Sequence, residues 1–133
     1  MPLVRISLAR GKPAEYRRKV ADAVHQALVD TIQVPLKDRF QLISEHGLED
    51  LVYDDSYLGI ARTDNIVIIQ ATISAGRSLE KKRALYRCMA DNLEAIGLRR
   101  EDVWINLVEV AKENWSFGNG VASYAPEETA SAW

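Results

Sequence analysis

The second residue of the chain is a proline, which becomes the N-terminal residue if Met1 is removed. Pro2 would then carry a secondary amine. A free α-amino group has a pKa of ~7.7 to 8.0, and apolar surroundings lower that pKa because they disfavour the cation. The neutral amine suits a general base, whereas the protonated amine suits an acid or an anchor for a carbonyl or carboxylate. The alternative is that Pro2 only provides a methionine-processed terminus that resists proteases.

A second candidate is Arg77, which stands at the start of a predicted helix that Ser78 can cap. The first backbone N–H groups of a helix and the helix dipole favour an anion, so a guanidinium at this point suits a carboxylate. An amine and a guanidinium together predict a small substrate that bears a carboxylate. The alternative for Arg77 is a solvated surface arginine.

Alternating apolar and polar residues, together with runs of apolar residues, predict four strands that would position Pro2 and Arg77. Residues 3 to 8 alternate between apolar and polar side chains, and residues 66 to 73 form a nearly continuous apolar run, typical of a strand buried on both faces. Residues 40 to 45 and 103 to 110 predict the other two strands. Residues 46 to 64 are polar and rich in turn formers, so we expect a long excursion that contains one short hairpin.

Two amphipathic helices are predicted between these strands. The first begins near Pro13, which suits a first helical turn, and ends before Pro35. The second begins after Ser78 and ends at Gly97. Its apolar stripe includes Cys88, the only cysteine of the chain, so we expect a core role for this thiol and no intrachain disulfide.

The chain also repeats itself. The segments PLKDRFQLISE and LRREDVWINLVE share a charged turn that ends in Asp, an aromatic residue one step into a strand and a terminal Glu. The matching pairs are Asp38 with Asp102, Phe40 with Trp104, and Glu45 with Glu109. Two copies of a βαβ unit follow, which predicts an α+β fold with a four-stranded mixed sheet and two helices on one face.

We predict a single domain over residues 1–133, with repeat 1 over about 2–46, the excursion over about 47–64, repeat 2 over about 65–110 and a C-terminal tail over 111–133. Right-handed crossovers place both helices on the same face of the sheet. The opposite face also offers apolar side chains, so we expect another copy of the chain to cover it.

Composition excludes several classes of protein. The formal net charge is -2 with both signs interspersed, which favours neither nucleic acid nor an anionic membrane surface as a partner. No window approaches the ~20 apolar residues of a membrane span, and we expect a cytoplasmic protein. His25 and His46 have no acidic or cysteine partners at metal-ligand spacing, so we expect structural histidines and no metal.

The Met-Pro start, the two βαβ units and the open sheet face together resemble the tautomerase superfamily. Within it, the segments VPLKDRFQ, GRS and ENWSFGNG are similar to malonate semialdehyde decarboxylase and the tautomerase-like proteins around it. The resemblance covers most of residues 1 to 124. It implies a homotrimer, no cofactor and a catalytic N-terminal proline.

The resemblance also implies roles for four further residues. The acid that matches Asp38 lies near the N-terminal proline in the family pattern, where it would orient a water or a substrate carboxylate. A helix or turn cap is the alternative, because the repeat places Asp102 at the matching position. Trp115 and Phe117 match the apolar wall of the family's pocket, with Tyr124 as a further contributor, and core packing or subunit contact is the alternative for each.

One departure from the decarboxylase pattern bears on the reaction. That pattern has a second arginine two positions before the one matched by Arg77, where this chain has Ala75. We therefore predict a tautomerase of small 2-keto acids or their enols, with Pro2, Asp38 and Arg77 as catalytic residues. The alternatives are a decarboxylase or hydratase of small acids such as malonate semialdehyde, and a trimeric binding module without enzymatic activity.

Overall fold

Four strands form one mixed sheet in the computed structural model, which describes residues 1–125. The strands are β1 (Leu3–Ala9), β2 (Gln41–His46), β3 (Val67–Ser74) and β4 (Val103–Val110), in the spatial order β2-β1-β3-β4. The central strands β1 and β3 are antiparallel, while β2 runs parallel to β1 and β4 runs parallel to β3. The predicted four-stranded mixed sheet is therefore confirmed.

Helices α1 (Ala14–Ile32) and α2 (Leu79–Ala95) connect the strands of each repeat. Ser78 caps α2 as expected, since its Oγ accepts a hydrogen bond from the Lys81 backbone N–H at 3.2 Å. Gly97 follows the end of α2 with a φ of 104°, a conformation that favours glycine. Within the described residues, neither helix has the length and apolarity that crossing a membrane requires.

The core lies between the two helices and one face of the sheet. Val4, Ile6 and Leu8 alternate toward it from β1, and Leu85 and Met89 reach it from α2. The histidine of α1 is buried too: the Nε2 atom of His25 lies 2.7 Å from the carbonyl oxygen of Leu36. This contact joins α1 to the segment that leads into β2.

The second face of the sheet is open in a single chain. Leu42, Trp104 and Val108 are exposed large apolar residues on this face. The prediction that β3 is buried on both faces is wrong for one chain, because Gln70 is exposed and Ile68 and Thr72 on the same face are only partly buried. The reason is that both helices pack on the same side of the sheet.

The excursion between β2 and β3 contains no hairpin, so that prediction is wrong within the described chain. It forms two short 3-10 helices instead, Leu48–Asp50 and Tyr57–Gly59. The guanidinium of Arg62 donates to the carbonyl oxygen of Tyr57 at 3.0 Å and lies 3.4 Å from two others. These bonds satisfy loop carbonyls that a hairpin would have paired between strands.

Candidate active site

The sheet topology brings the predicted site residues to one end of the strands. Leu3 pairs with Thr72 in the antiparallel pair, so the start of β1 lies beside the end of β3. Val4 pairs with Gln41, which places the start of β2 at the same end, and Ser74 pairs with Val110 at the end of β4. Residues that precede β1 and β2 therefore meet residues that follow β3 and β4.

A cavity of about 560 Å³ opens at this end. It is lined by Met1, the segment 74–78, Lys81 and Lys112. Ala75 lies in this lining, where the decarboxylase pattern has an arginine. Pro2 is buried directly behind Met1, so loss of Met1 would open Pro2 to the cavity.

Opposing electrostatic effects act on the amine of Met1. Burial and, to a lesser extent, the positive charge of Arg77 lower the pKa of this amine to about 6. The amine also contacts Oδ2 of Asp38, and a carboxylate in contact favours the protonated form. The chain end, Asp38 and Arg77 are thus brought together, although they are far apart in the sequence.

Arg77 is positioned by the turn between β3 and α2. Its NH1 atom donates to the carbonyl oxygen of Ser74 at 2.7 Å. Gly76 allows the chain to turn here, since its φ of 121° is one that L side chains rarely adopt. No carboxylate of residues 1–125 forms an ion pair with Arg77, so its remaining donors are available for an anion.

The three predicted aromatic residues form a cluster beside the cavity. The rings of Trp115 and Phe117 stack with centroids 5.4 Å apart, and Tyr124 meets Phe117 edge-on at 5.3 Å. Trp115 donates from Nε1 to Oγ of the buried Ser74 at 3.1 Å, which links the cluster to the cavity wall. Burial raises the pKa of Tyr124, and the nearby Arg77 opposes this effect. None of the three aromatic residues lines the cavity itself in the described part of the chain.

Sequence reasoning missed three residues of the cavity. Ser74 joins Arg77 and Trp115 through its backbone and side chain. Lys81 lies in the first turn of α2, four residues after Arg77, and this short separation could have indicated it. Lys112 follows β4 in a short 3-10 helix, Lys112–Asn114, and only the parallel pairing of β3 and β4 brings it to the cavity.

Two family models match the chain, both described as tautomerase enzyme, one over residues 38–118 and the other over residues 2–61. The probable tautomerase YusQ of Bacillus subtilis (strain 168) is 39% identical over 123 residues, which cover 92% of this chain and 97% of that protein. The chain belongs to the tautomerase family. It is therefore an enzyme of the isomerase class, and the resemblance stated from the sequence is confirmed.

Solved structures agree with this assignment. The crystal structure of FG41 malonate semialdehyde decarboxylase inhibited by 3-bromopropiolate is 40% identical, with a TM-score of 0.87 and coverage of 92% of this tautomerase and 93% of that chain. A fused 4-OT wild type symmetric trimer is 20% identical, with a TM-score of 0.76 and coverage of 92% and 99%, so it shows the fold alone. This tautomerase thus lies in the branch that includes malonate semialdehyde decarboxylase.

Proposed function

We propose that this tautomerase moves a proton between carbon and oxygen of a small 2-keto acid or its enol, with the amine of Pro2 as general base. The observation that supports this best is the amine at the start of the chain, which lies in a cavity beside Arg77. Removal of Met1 transfers the free amine to Pro2, about 3.8 Å along the chain by Cα spacing. Because that position is buried, we expect a neutral amine at pH 7.

Ketonisation of an enol then needs only a proton transfer. The neutral amine takes the hydroxyl proton, the O–H electron pair becomes the carbonyl π bond, and the former C=C pair takes a proton back from the prolinium at the neighbouring carbon. The amine ends the cycle neutral, and no redox partner or cofactor is consumed. Arg77 would hold the substrate carboxylate through the donors that its bond to Ser74 leaves available, so that this carbon faces the amine.

The aromatic cluster would limit the access of water to the amine. Trp115 and Phe117 stack beside the cavity wall, and Tyr124 covers an edge of Phe117. Their apolar surface near the amine favours the neutral form. Trp115, Phe117 and Tyr124 would thus form an apolar wall beside the substrate-binding cavity that keeps the base uncharged.

Decarboxylation of a small 3-oxo acid is the second candidate, and the contact between the amine and Asp38 favours it. An amine held as a cation would act as an acid or anchor instead of a base, and Asp38 would position the substrate or a water. The similarity to malonate semialdehyde decarboxylase supports the same candidate. Ala75 weighs against it, because the arginine of the decarboxylase pattern is missing there.

We propose a homotrimer as the working assembly. The open sheet face exposes Leu42, Trp104 and Val108, and exposed apolar surface of this kind is typical of an interface. The fused 4-OT protein with the same fold is described as a trimer. Size-exclusion chromatography with light scattering tests this proposal, and a stable monomer at micromolar concentration would overturn it.

The first experiment on the reaction is an intact mass measurement that establishes whether Met1 is removed. Ketonisation of phenylenolpyruvate is then followed for the wild type and for the Pro2→Ala and Arg77→Ala variants, with Lys19→Met on the exposed side of α1 as a control. We expect a rate that collapses in both site variants and is retained in the control.

Other outcomes would select other functions. Activity on malonate semialdehyde that depends on Asp38, without ketonisation, would support the decarboxylase. A wild type that is inactive on all these substrates, or that retains Met1 in the mature protein, would favour a binding module.

A further inference from the structure

Three side-chain cations line the cavity: Arg77, Lys81 and Lys112. Within residues 1–125, none of them forms an ion pair with a carboxylate, although the neighbouring Lys82 does, at 2.5 Å from Glu109. The whole chain has a formal net charge of -2, so this concentration of positive charge is a local property of the cavity. Unpaired cations around a cavity favour an anionic occupant.

The reaction proposed above uses only one of these cations. Arg77 would bind the carboxylate next to the reacting carbon. Lys81 donates from Nζ to Oε1 of Gln33 at 2.9 Å, so one of its three donors is already used within the protein. The ammonium of Lys112 makes no hydrogen bond or ion pair to any residue that the structure describes, and it reaches the cavity from the segment after β4.

We propose that Lys112 binds a second anionic group of the substrate, so that the cavity selects small dicarboxylates over monocarboxylates of the same size. This inference rests on the proposed function for the reaction at the amine and adds the substrate class. Ala75 brings no charge and little volume to the lining, and a cavity of about 560 Å³ is large enough for a small diacid. With Arg77 on one carboxylate and Lys112 on the other, the cationic walls would be neutralised.

Binding of a size-matched pair of acids tests the inference without any turnover. Succinate and butyrate have the same number of carbon atoms, but only succinate is a dianion at neutral pH. We expect calorimetry to give tighter binding of succinate by about ten-fold or more, as one charge-assisted hydrogen bond would supply. The preference should shrink with added salt, because the interaction is partly solvent-exposed.

Substitution of Lys112 shows whether this side chain causes the preference. Lys112→Met keeps a similar length without the charge, so we expect the succinate preference to fall to about two-fold or less, while Lys112→Arg should retain most of it. Lys19→Met removes a positive charge from the exposed side of α1 and should leave the preference unchanged. A wild type without a preference for succinate, or a Lys112→Met variant that keeps it, would overturn the inference.

Turnover separates this inference from the proposed function. The enol of oxaloacetate is a dianion and phenylenolpyruvate is a monoanion, so we expect Lys112→Met to raise KM for the diacid about ten-fold more than for the monoacid. If the wild type turns over neither enol but prefers succinate through Lys112, the proposed function fails and the second anion site stands. If Pro2→Ala abolishes turnover and Lys112→Met leaves the ratio of KM values unchanged, the proposed function stands and the inference fails.

Discussion

The two ends of the sheet are built from matching parts, yet at the positions that the repeat relates, the described residues leave room for a ligand at one end and not at the other. At the first end, β1 begins beside the end of β3, and about 560 Å³ lies open around Met1 and Arg77. At the other end, β1 finishes beside the start of β3, and the matching space between Lys12, Tyr16 and Ile66 leaves no room for a water molecule. Met1 lines the cavity at the first end, whereas Asp64, Asn65 and Ile66 occupy the matching position at the second.

The two repeat-related aspartates differ in the same way. Asp102 is 1% exposed and accepts hydrogen bonds from the backbone N–H and the hydroxyl of Thr63, at 2.7 and 2.6 Å. Asp38 is 20% exposed and contacts the amine of Met1. The acid at this position of the repeat thus binds a loop residue, Thr63, at one end and the amine of Met1 at the other.

Other features that the repeat relates, an ion pair and a glycine before each helix, are similar in the two repeats. Arg17 pairs with Glu45 at 2.6 Å in the first repeat, as Lys82 pairs with Glu109 at 2.5 Å in the second. The glycines before both helices, Gly11 and Gly76, have φ values of 113° and 121°. The repeat therefore provides the same framework at both ends, while Met1, Arg77, Lys81 and Lys112 line an open cavity at one of them.

The strongest test of this comparison replaces each of the two cations that follow Gly11 and Gly76 with alanine. Arg77→Ala should lower kcat/KM for an enol acid by about 10- to 100-fold, because a charge-assisted contact with the carboxylate is lost. Lys12→Ala, at the matching turn, should change kcat/KM by less than about two-fold, because the ammonium of Lys12 lies 5.2 Å from the centre of the Tyr16 ring and lines no open cavity. Steady-state kinetics on both variants measures the difference, and equal losses would contradict it.

Substitution of Asp102 should mainly affect stability, whereas substitution of Asp38 should mainly affect activity. Asp102→Ala leaves two partly buried donors of Thr63 without their acceptors, so we expect the free energy of unfolding to fall by about 1 to 3 kcal/mol. Asp38→Ala should cost less than about 1 kcal/mol, because the side chain is partly exposed, and its effect should fall on the reaction. Urea unfolding of both variants tests this, and a larger loss for Asp38→Ala would contradict it.

The amine at the first end should make the reaction depend on pH. If Pro2 acts as a base in the environment that lowers the pKa of the Met1 amine to about 6, kcat/KM should rise with pH through about 6 and then level off. A rate that falls over the same range would indicate that the cation is the active form, as the decarboxylase candidate requires.

The same shift predicts how stability changes with pH. A folded-state pKa below the ordinary value of 8.0 means that the unfolded chain binds more protons between about pH 6 and 8. The contribution of this amine to the free energy of unfolding should therefore increase as the pH rises through that range. Thermal unfolding of the Met1-retaining form at several pH values measures it, with a form acetylated at the N-terminus as the control.

The smallest effects are expected where the two repeats agree. Glu45→Gln and Glu109→Gln should each lower the free energy of unfolding only slightly, since both ion pairs are partly exposed and screened by solvent. Glu109 also lies close enough to Arg77 for the positive charge of that residue to contribute, after Lys82, to the lowered pKa of the Glu109 carboxyl. Glu109→Gln should therefore raise KM for the substrate and Glu45→Gln should not, and thermal unfolding with steady-state kinetics on both variants tests both points.

The parts predicted correctly from the sequence depend on neighbours along the chain. The apolar–polar alternation of a strand involves only residues that are close in the chain. The same is true of the Ser78 cap of α2 and of the end of α2 before Gly97, so local sequence pattern predicts all three. The hairpin prediction failed because the bonds of Arg62 to loop carbonyls are not encoded in a periodic pattern. The prediction of full burial for β3 failed because burial depends on which face the helices cover.

The sequence by itself determined the family, the repeat and the residue types available for chemistry: a proline at the second position, an arginine after a glycine and an acid before a strand. The tertiary structure decided which of them meet. The antiparallel pairing of β1 with β3 places the chain start beside Arg77, and the parallel pairing of β3 with β4 adds Lys112 to the same cavity. These contacts join residues far apart in the chain, and strand register, which no local pattern contains, determines them.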